Sequence, residues 1–293
     1  MAGADSWRAS GFATRSNAFT GVHASWEAFG GRLHAFYFRP HRRRPADRGA
    51  LLDNQYESDS EAGGAAFWGG GIERGSDGGL TGFDVFGRRL GDGRRLITGS
   101  VRLERKTRAW RLRSQTALQT ETAGIEHRAI FQHLSAMREI DERTDVTLAV
   151  DYASGDSPYD QVNRGFDTLF GVQRVDWSHG GLYSAFRRGN VLSPWLRIDR
   201  KTARGKWIAG YRPVWLANPR GAWAGISDPS ASPDRFVGHH LDARWQGAWS
   251  DTWRLEVGGA YLIKGDRAKL GVTQDDTVFV YLQVLAAVAL TDR

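Results

Sequence analysis

The sequence has 293 residues and no cysteine, which excludes disulfide bonds, thiolate metal sites and cysteine nucleophiles. Its 40 basic residues exceed its 33 acidic ones, for a net charge of +7, and arginine far outnumbers lysine. Mean hydropathy is -0.47, and nowhere do the ~18 apolar residues of a transmembrane helix run together. A bundle of transmembrane helices is therefore excluded, whereas strands that alternate apolar and polar residues fit these averages.

Alternation with a period of two residues predicts strands along nearly the whole chain. In chain order the alternating runs are 17–28, 32–39, 64–74, 80–88, 97–104, 109–121, 144–152, 180–190, 191–200, 206–217, 241–246, 253–261 and 278–284. Many have the roughly 9–11 residues that a tilted strand needs to cross a bilayer. We therefore expect an all-β fold, an antiparallel transmembrane β-barrel of about 12–14 strands that forms a single domain over residues 1–293.

One stretch, residues 124–140, alternates poorly. Ile125, Ala129, Ile130, Leu134 and Met137 follow near-helical spacing there. The sequence leaves a short helix and an irregular strand equally open.

The connections between strands fall into two length classes. Residues 29–31, 75–79, 106–108 and 248–252 form short ones, whereas 41–62, 155–180, 218–236 and 266–276 are long and polar. Short turns at one rim and long loops at the other are typical of outer-membrane barrels.

Aromatic residues recur near the strand ends. Since indole and phenol rings combine an apolar body with one polar group, they suit a membrane–water interface. The predicted interface residues are Trp26, Phe36, Trp68, Phe86, Trp110, Tyr152, Trp195, Trp207, Trp215, Trp245, Trp253, Tyr261 and Tyr281. The alternative is that they are core residues of a soluble β-protein.

The same alternation places arginines on the inward faces of the strands. If Trp110, Leu112 and Leu118 face lipid, Arg111 and Arg113 face the lumen. The full set of candidate solute-binding residues is Arg102, Arg111, Arg113, Arg244 and Arg254, with Arg187, Arg197 and Arg212 assigned less directly. A ring of arginines attracts anions, and carboxylates on the same faces would pair with some of them. A merely solvated polar face is the alternative.

Several local patterns resemble one family. Arg15–Val22 followed by Gly31–Pro40, Tyr152–Asp156 followed by Phe166–Phe170, then Gly238–Asp242 and Val278–Gln283, occur in collinear order. Together they resemble the alginate-export outer-membrane porins of bacteria. The resemblance implies an eighteen-stranded barrel in the bacterial outer membrane with an arginine-rich lumen. It also implies export or diffusion of an alginate-like polysaccharide or of small anions, contact with outer-membrane lipid and periplasmic export partners.

The chain departs from that family pattern in three places. Strands that normally precede the element at Asn17–Gly21 are missing, the last residues are Leu290–Arg293 without a terminal aromatic, and Gly171 follows Phe170 where a proline is expected. Met1–Gly11 also lack a secretory signal pattern, which fits either a cytoplasmic protein or a chain whose N-terminal part is missing. We expect the C-terminal portion of a barrel, with 12–14 of a possible eighteen strands.

Catalytic, metal and cofactor chemistry find little support in the sequence. The eight histidines lack metal-ligand spacing, and neither a Gly-x-Ser-x-Gly elbow nor a phosphate-binding glycine loop occurs. Asp156, Asp160, Asp167 and Asp176 do not match a calcium loop, and ordinary loop polarity is the simpler interpretation. We expect no enzyme, no cofactor and no nucleic-acid partner. The alternative function is a soluble β-rich module that binds polyanions or carbohydrate, in which Leu112, Leu118, Leu148 and Val150 would form a closed core.

Overall fold

The computed structural model describes residues 19–42, 60–121, 126–169, 189–221, 234–250, 252–270 and 274–286, with residues 49, 53, 55 and 58 between the first two ranges. The strands are β1 (Phe19–Ala28), β2 (Gly31–Arg42), β3 (Ser60–Glu61), β4 (Ala66–Ser76), β5 (Gly79–Arg89), β6 (Arg95–Lys106), β7 (Trp110–Glu121), β8 (Arg128–Asp141), β9 (Thr144–Ala153), β10 (Val191–Thr202), β11 (Gly205–Trp215), β12 (Phe236–Ala248), β13 (Trp253–Lys264) and β14 (Thr277–Ala286). A short helix, α1 (Asp266–Lys269), precedes β14.

All strands belong to one sheet whose order follows the chain, so that, β3 apart, neighbours in the sheet are also consecutive strands of the sequence. Each pairing is antiparallel, and the two-residue β3 pairs only with β2, off the main path. Thirteen long strands therefore form a meander with β1 at one edge and β14 at the other. This architecture confirms the predicted all-β antiparallel fold and its strand number.

The connections are sorted by length between the two rims of the sheet. At one end, which we call the turn rim, residues 29–30, 77–78, 107–109, 142–143, 203–204 and 249–252 join the strands. At the other end, the loop rim, the connections are longer, up to residues 154–190. Backbone geometry suits the tight turns: Phe29 and Gly30 both have positive φ, 54° and 70°, as a two-residue hairpin with a primed turn requires.

The stretch with helical spacing is a strand. Residues 128–141 form β8, which pairs on both sides with β7 and β9. Its apolar residues face both ways: Phe131 lies on one face, and Ile130 and Leu134 lie on the other. Near-helical spacing arose because both faces of β8 carry apolar residues. The predicted run 180–190 lies outside the described residues up to position 188.

The two faces of the sheet differ in burial and polarity. We call inner the face that carries Asp84, Arg102, Asp151 and Asp242, and outer the opposite one. Across β6 to β9 inner residues such as Ala117 are fully buried, whereas the outer Leu118 is 58% exposed. By the pairing registers every carboxylate in the thirteen long strands lies on the inner face except Asp141, which is opposite Thr144 at the irregular end of β8. The period-two pattern thus separates an apolar outer face from a charged inner one.

Apolar packing on the inner face concentrates towards the loop rim. Phe36, Phe67 and Phe86 form one cluster, and Phe36 and Phe67 have ring centroids 5.0 Å apart. A second cluster runs from β7 to α1 and contains Ala117, Phe131, Ala153, Val191, Val214, Leu216, Val237, Ala260, Leu262 and Ala268. These clusters close the inner face near the loop rim and leave its charged residues nearer the turn rim. Among the described residues, no helix has the length and apolar character needed to span a membrane.

Candidate solute site on the inner face

A cavity of about 560 Å³ lies on the inner face near the turn rim, between β6 and β11. Its charged lining alternates in sign along the sheet. Basic residues on β6–β7 are followed by acidic residues on the β8–β9 hairpin and then by basic residues on β10–β11. The basic residues are Arg102, Arg111, Arg113, Arg197, Lys201 and Lys206, and the acidic ones are Glu104, Glu139, Asp141, Glu142, Asp145 and Asp199. The cavity thus has two basic walls on either side of an acidic one.

The first basic wall contains three of the arginines predicted from the sequence. Arg102 pairs with Glu73, and Nε of Arg113 lies 3.4 Å from the carboxylate of Glu104. Arg111 makes no ion pair with another described residue. Because its charge is not neutralised by a neighbour, Arg111 is the residue of this wall best able to attract an anion from solution.

The second basic wall is built around Asp199. Arg197 donates two hydrogen bonds to this carboxylate, at 2.7 and 2.8 Å, and Nζ of Lys206 lies 2.5 Å from it. Two cations therefore share one anion, which leaves a net positive charge at this wall. The predicted site residue Arg197 accordingly lines the cavity.

Arg212 occupies a different environment from the one expected of a solute-attracting group. It is only 4% exposed, and its Nη1 donates a 3.0 Å hydrogen bond to the fully buried Asp151. Asp151 also accepts a hydrogen bond from Trp195 Nε1 at 2.9 Å and contacts His133 Nδ1 at 2.7 Å. The Arg212 charge is thus engaged inside a buried network that joins β8, β9, β10 and β11.

Arg244 and Arg254 lie on the inner faces of β12 and β13, outside the lining of the cavity. Arg244 is opposite Gly258 in the register, next to Tyr281, whose hydroxyl donates a 2.8 Å hydrogen bond to Glu256. Arg254 is exposed at the turn rim. The two arginines therefore continue the charged inner surface beyond the cavity. Arg187 lies outside the described residues.

The segment 154–169, which follows β9, folds across the inner face near the loop rim. Asp167 receives two hydrogen bonds from Arg88 on β5, at 2.9 and 2.6 Å. Gln119 on β7 exchanges hydrogen bonds with the Asp167 backbone at 2.6 and 2.8 Å. The ring centroids of Phe166 and Phe131 are 5.4 Å apart. Leu169 packs against the phenylalanine cluster of Phe36, Phe67 and Phe86. Anchored at these points, the segment narrows any path along the inner face.

Arg88 and Gln119 were not predicted from the sequence as structural partners of the site, whereas Asp151 was among the inner-face carboxylates expected to pair with arginines and does pair with Arg212. Asp167 was noted only as one of four loop acids, of which Asp176 lies outside the described residues. Among the described residues, no group of three or more His, Cys, Asp and Glu side chains is arranged to hold a metal ion. The alternation of Asp84 and Asp151 with apolar neighbours was the one available signal, because it places these carboxylates on the inner face.

The predicted aromatic residues divide between the two faces. Trp26, Trp110, Trp207, Trp245 and Trp253 lie on the outer face near the turn rim. Trp68, Tyr152, Trp215 and Tyr261 lie on the outer face towards the loop rim. The assignment to an interface was wrong for the four others, Phe36, Phe86, Trp195 and Tyr281, which lie on the inner face and pack or hydrogen-bond there.

Comparisons with known proteins give a fold but no sequence relative: no protein-family model matches the chain, and no curated protein matches it. Among solved structures, Pseudomonas aeruginosa OccK5 (OpdH) superposes with a TM-score of 0.61 at 11% identity, over 97% of this chain and 75% of that one. The outer membrane protein OprD of the same organism gives 0.60 at 14% identity, over 96% and 72%. OccK2 (OpdF), solved in complex with glucuronate, gives 0.58 at 14% identity, over 96% and 74%. The chain therefore has the β-barrel fold of the OprD and Occ porins.

Proposed function

We propose that these strands form the wall of a bacterial outer-membrane channel that passes small anionic solutes. The observation that carries the proposal is the separation of charge between the two faces of the sheet. Carboxylates and most cations of the long strands line the inner face, whereas the middle of the outer face is apolar. This is the arrangement that lipid on one side and water on the other would require.

The apolar part of the outer face is as tall as the apolar band of an outer-membrane barrel. On β8, outer-facing Arg128 and Arg138 enclose an outer row of Ile130, Gln132, Leu134 and Ala136. Ten residues at ~3.4 Å each, tilted by ~40–45°, span about 25 Å, which equals the apolar band of outer-membrane barrels. Gln132, the polar member, is satisfied by Thr116 and Ser114 on the same face, at 2.6 and 3.3 Å. A paired amide of this kind is compatible with contact to lipid.

The outer side chains argue against the soluble alternative. A soluble module would bury Leu112, Leu118 and Leu148 in a closed core, but they are 44%, 58% and 56% exposed. Large exposed apolar surfaces in a β-sheet indicate a partner, and lipid is the partner that accepts such a surface around a whole barrel. The fold shared with OprD supports the same location in the outer membrane.

The inner face supports a modest preference for anions. Arg111 is unpaired within the described residues, and Arg197 and Lys206 share one carboxylate, so both basic walls retain positive charge. The acidic hairpin between them reduces the net field, because Glu139 and Asp145 have no cationic partner in the described part of the chain. A small carboxylate would bind weakly at either basic wall and pass between them.

Two classes of anion follow from the observations. Glucuronate is bound by OccK2, which shares the fold, whereas the sequence resemblance implies an alginate-like polysaccharide. We favour the small solute because segment 154–169, held by Arg88 and Gln119, crosses the inner face. Block of the channel current by glucuronate and by alginate oligosaccharides of increasing length compares the two classes directly.

Reversal potentials in planar bilayers under a KCl gradient test the proposal. The unmodified protein should prefer anions, and the double variant Arg111→Gln/Arg113→Gln should lose most of that preference. Arg105→Gln/Arg138→Gln is the matched control, because it removes two charges at the same rim from the outer face. A cation-selective pore, or an unchanged reversal potential in the double variant, contradicts the proposal.

A further inference from the structure

We propose that four arginines on the outer face at the turn rim bind the headgroups of anionic phospholipids. They are Arg74, Arg105, Arg138 and Arg200, which we call the arginine belt. The proposal rests on the membrane location proposed above and adds a lipid-binding site to it.

The members of the arginine belt share one level of the barrel. Each lies near the end of an alternate strand, β4, β6, β8 or β10, two to four residues before a turn. Register places all four on the outer face, opposite Thr81, Leu112, Trp110 and Thr144 respectively. With strands ~4.8 Å apart, neighbouring arginines are about 10 Å apart. The belt therefore presents a row of separate cationic positions rather than one cluster.

The arginine belt is not neutralised by ion pairs within the described part of the protein. All four side chains belong to exposed residues, and none forms an ion pair with another described residue. The nearby carboxylates Glu73, Glu104, Glu139 and Asp199 lie on the inner face. Asp141, at the irregular end of β8, is near Arg200 but forms no ion pair with it. Lipid phosphates are the anions nearest to guanidinium groups at a membrane surface, and a phosphate diester accepts their parallel hydrogen bonds well.

Outer-facing arginines at the loop rim, unlike the arginine belt, have partners within the protein. Arg39 pairs with Glu61 at 3.2 Å, Arg128 pairs with Glu126, and Arg89 donates to the Gly64 carbonyl oxygen at 2.8 Å. These groups are satisfied by the protein itself. The unsatisfied cations are therefore concentrated at the rim with short turns, which in outer-membrane barrels faces the periplasm.

Tryptophans hold two members of the belt at the interface. The guanidinium carbon of Arg138 lies 5.4 Å from the ring centroid of Trp110, its direct cross-strand neighbour. Arg200 is directly opposite Trp207, which is 52% exposed. An indole ring at the headgroup level positions the adjacent guanidinium there without using its N–H donors. Nη1 of Arg200 donates a long hydrogen bond of 3.5 Å to Thr144 Oγ1, and its other N–H groups are available to phosphate.

Quenching of tryptophan fluorescence by brominated lipid tests the belt. The protein is reconstituted in mixed vesicles of phosphatidylcholine and phosphatidylglycerol, with the bromine on one lipid or the other. Each cation near an anionic surface should favour phosphatidylglycerol about fivefold, so quenching should exceed that expected from the bulk lipid ratio. The quadruple variant Arg74→Gln/Arg105→Gln/Arg138→Gln/Arg200→Gln should bring quenching back to the bulk ratio. Arg111→Gln/Arg113→Gln, at the same rim but on the inner face, should keep the preference.

The outcomes separate this inference from the proposed function. Equal quenching by the two lipids in the unmodified protein, or an undiminished preference in the quadruple variant, overturns the arginine belt while leaving the channel intact. Failure of the unmodified protein to insert into either vesicle overturns the channel and the belt together. Anion selectivity that survives in the quadruple variant, with its lipid preference lost, supports both assignments.

Discussion

The ion pair between Arg88 and Asp167 should control how far segment 154–169 stays folded onto the inner face. The two side chains lie on β5 and in the segment, 79 residues apart, and are joined by two hydrogen bonds. Arg88 is 14% exposed and Asp167 34% exposed at the side chain. Breaking a fully buried pair costs roughly 3–5 kcal/mol and an exposed one about 0–1 kcal/mol. A half-buried pair of this geometry should contribute about 2 kcal/mol to the bound position.

Asp167→Asn removes that contribution but leaves the backbone bonds to Gln119 and the contacts of Phe166 and Leu169 in place. At a tenfold change per ~1.4 kcal/mol, the ratio of released to bound segment should rise roughly 30-fold. Single-channel recordings should then show frequent excursions to a higher conductance.

The charge-reversed pair Arg88→Asp/Asp167→Arg is the matched control, since it restores the ion pair and should restore a quiet trace. Conductance and noise equal to those of the unmodified protein in both Asp167→Asn and Arg88→Gln would refute the role given to this pair.

Three other predictions concern charge, stability and pH. Glu139→Gln/Asp145→Asn should increase anion preference in the same bilayer measurement, because it removes unpaired negative charge from the wall between the basic ones; an unchanged or lower preference would contradict the role of the hairpin. Asp151→Asn should lower the free energy of unfolding in detergent by about 3 kcal/mol, since it leaves buried Arg212 without its anion. Asp145→Asn should change it little, because Asp145 is half-buried and has no ion pair with another described residue. Burial lowers the pKa of His127, which forms a backbone bridge to Asn163 before β8 begins. The folded protein therefore favours neutral His127, and the free energy of unfolding should fall as the pH drops below ~6.5 and through the folded pKa. His127→Asn should abolish this pH dependence in melting curves.

The strands and their faces could be predicted from the sequence because each residue has only two environments in such a sheet. A period of two is sufficient to separate Leu112 and Leu118 from Arg111 and Arg113, and the structure places them on opposite faces. The sorting of short turns and long loops was predictable for the same reason, since each strand must cross the full height of the sheet.

The partners of the inner residues were not predictable in this way. Arg212 and Asp151 are 61 residues apart and meet only after β9, β10 and β11 align in register. An aromatic residue near a strand end is compatible with a position at the membrane interface and with a position in an apolar cluster on the inner face. Phe86 is buried in such an inner cluster, where Leu169 of segment 154–169 packs against it. No local pattern in the sequence indicates that packing.

The direction of the two edge strands limits how the barrel can close. Along the thirteen long strands the direction reverses at every step, so β1 and β14 both run from the loop rim to the turn rim. Direct contact between these edges would produce a parallel seam, and so would contact with the edge of a second copy inserted in the same orientation. An all-antiparallel wall therefore needs an odd number of additional strands between β1 and β14. Five such strands would complete the barrel of eighteen that the family resemblance implies.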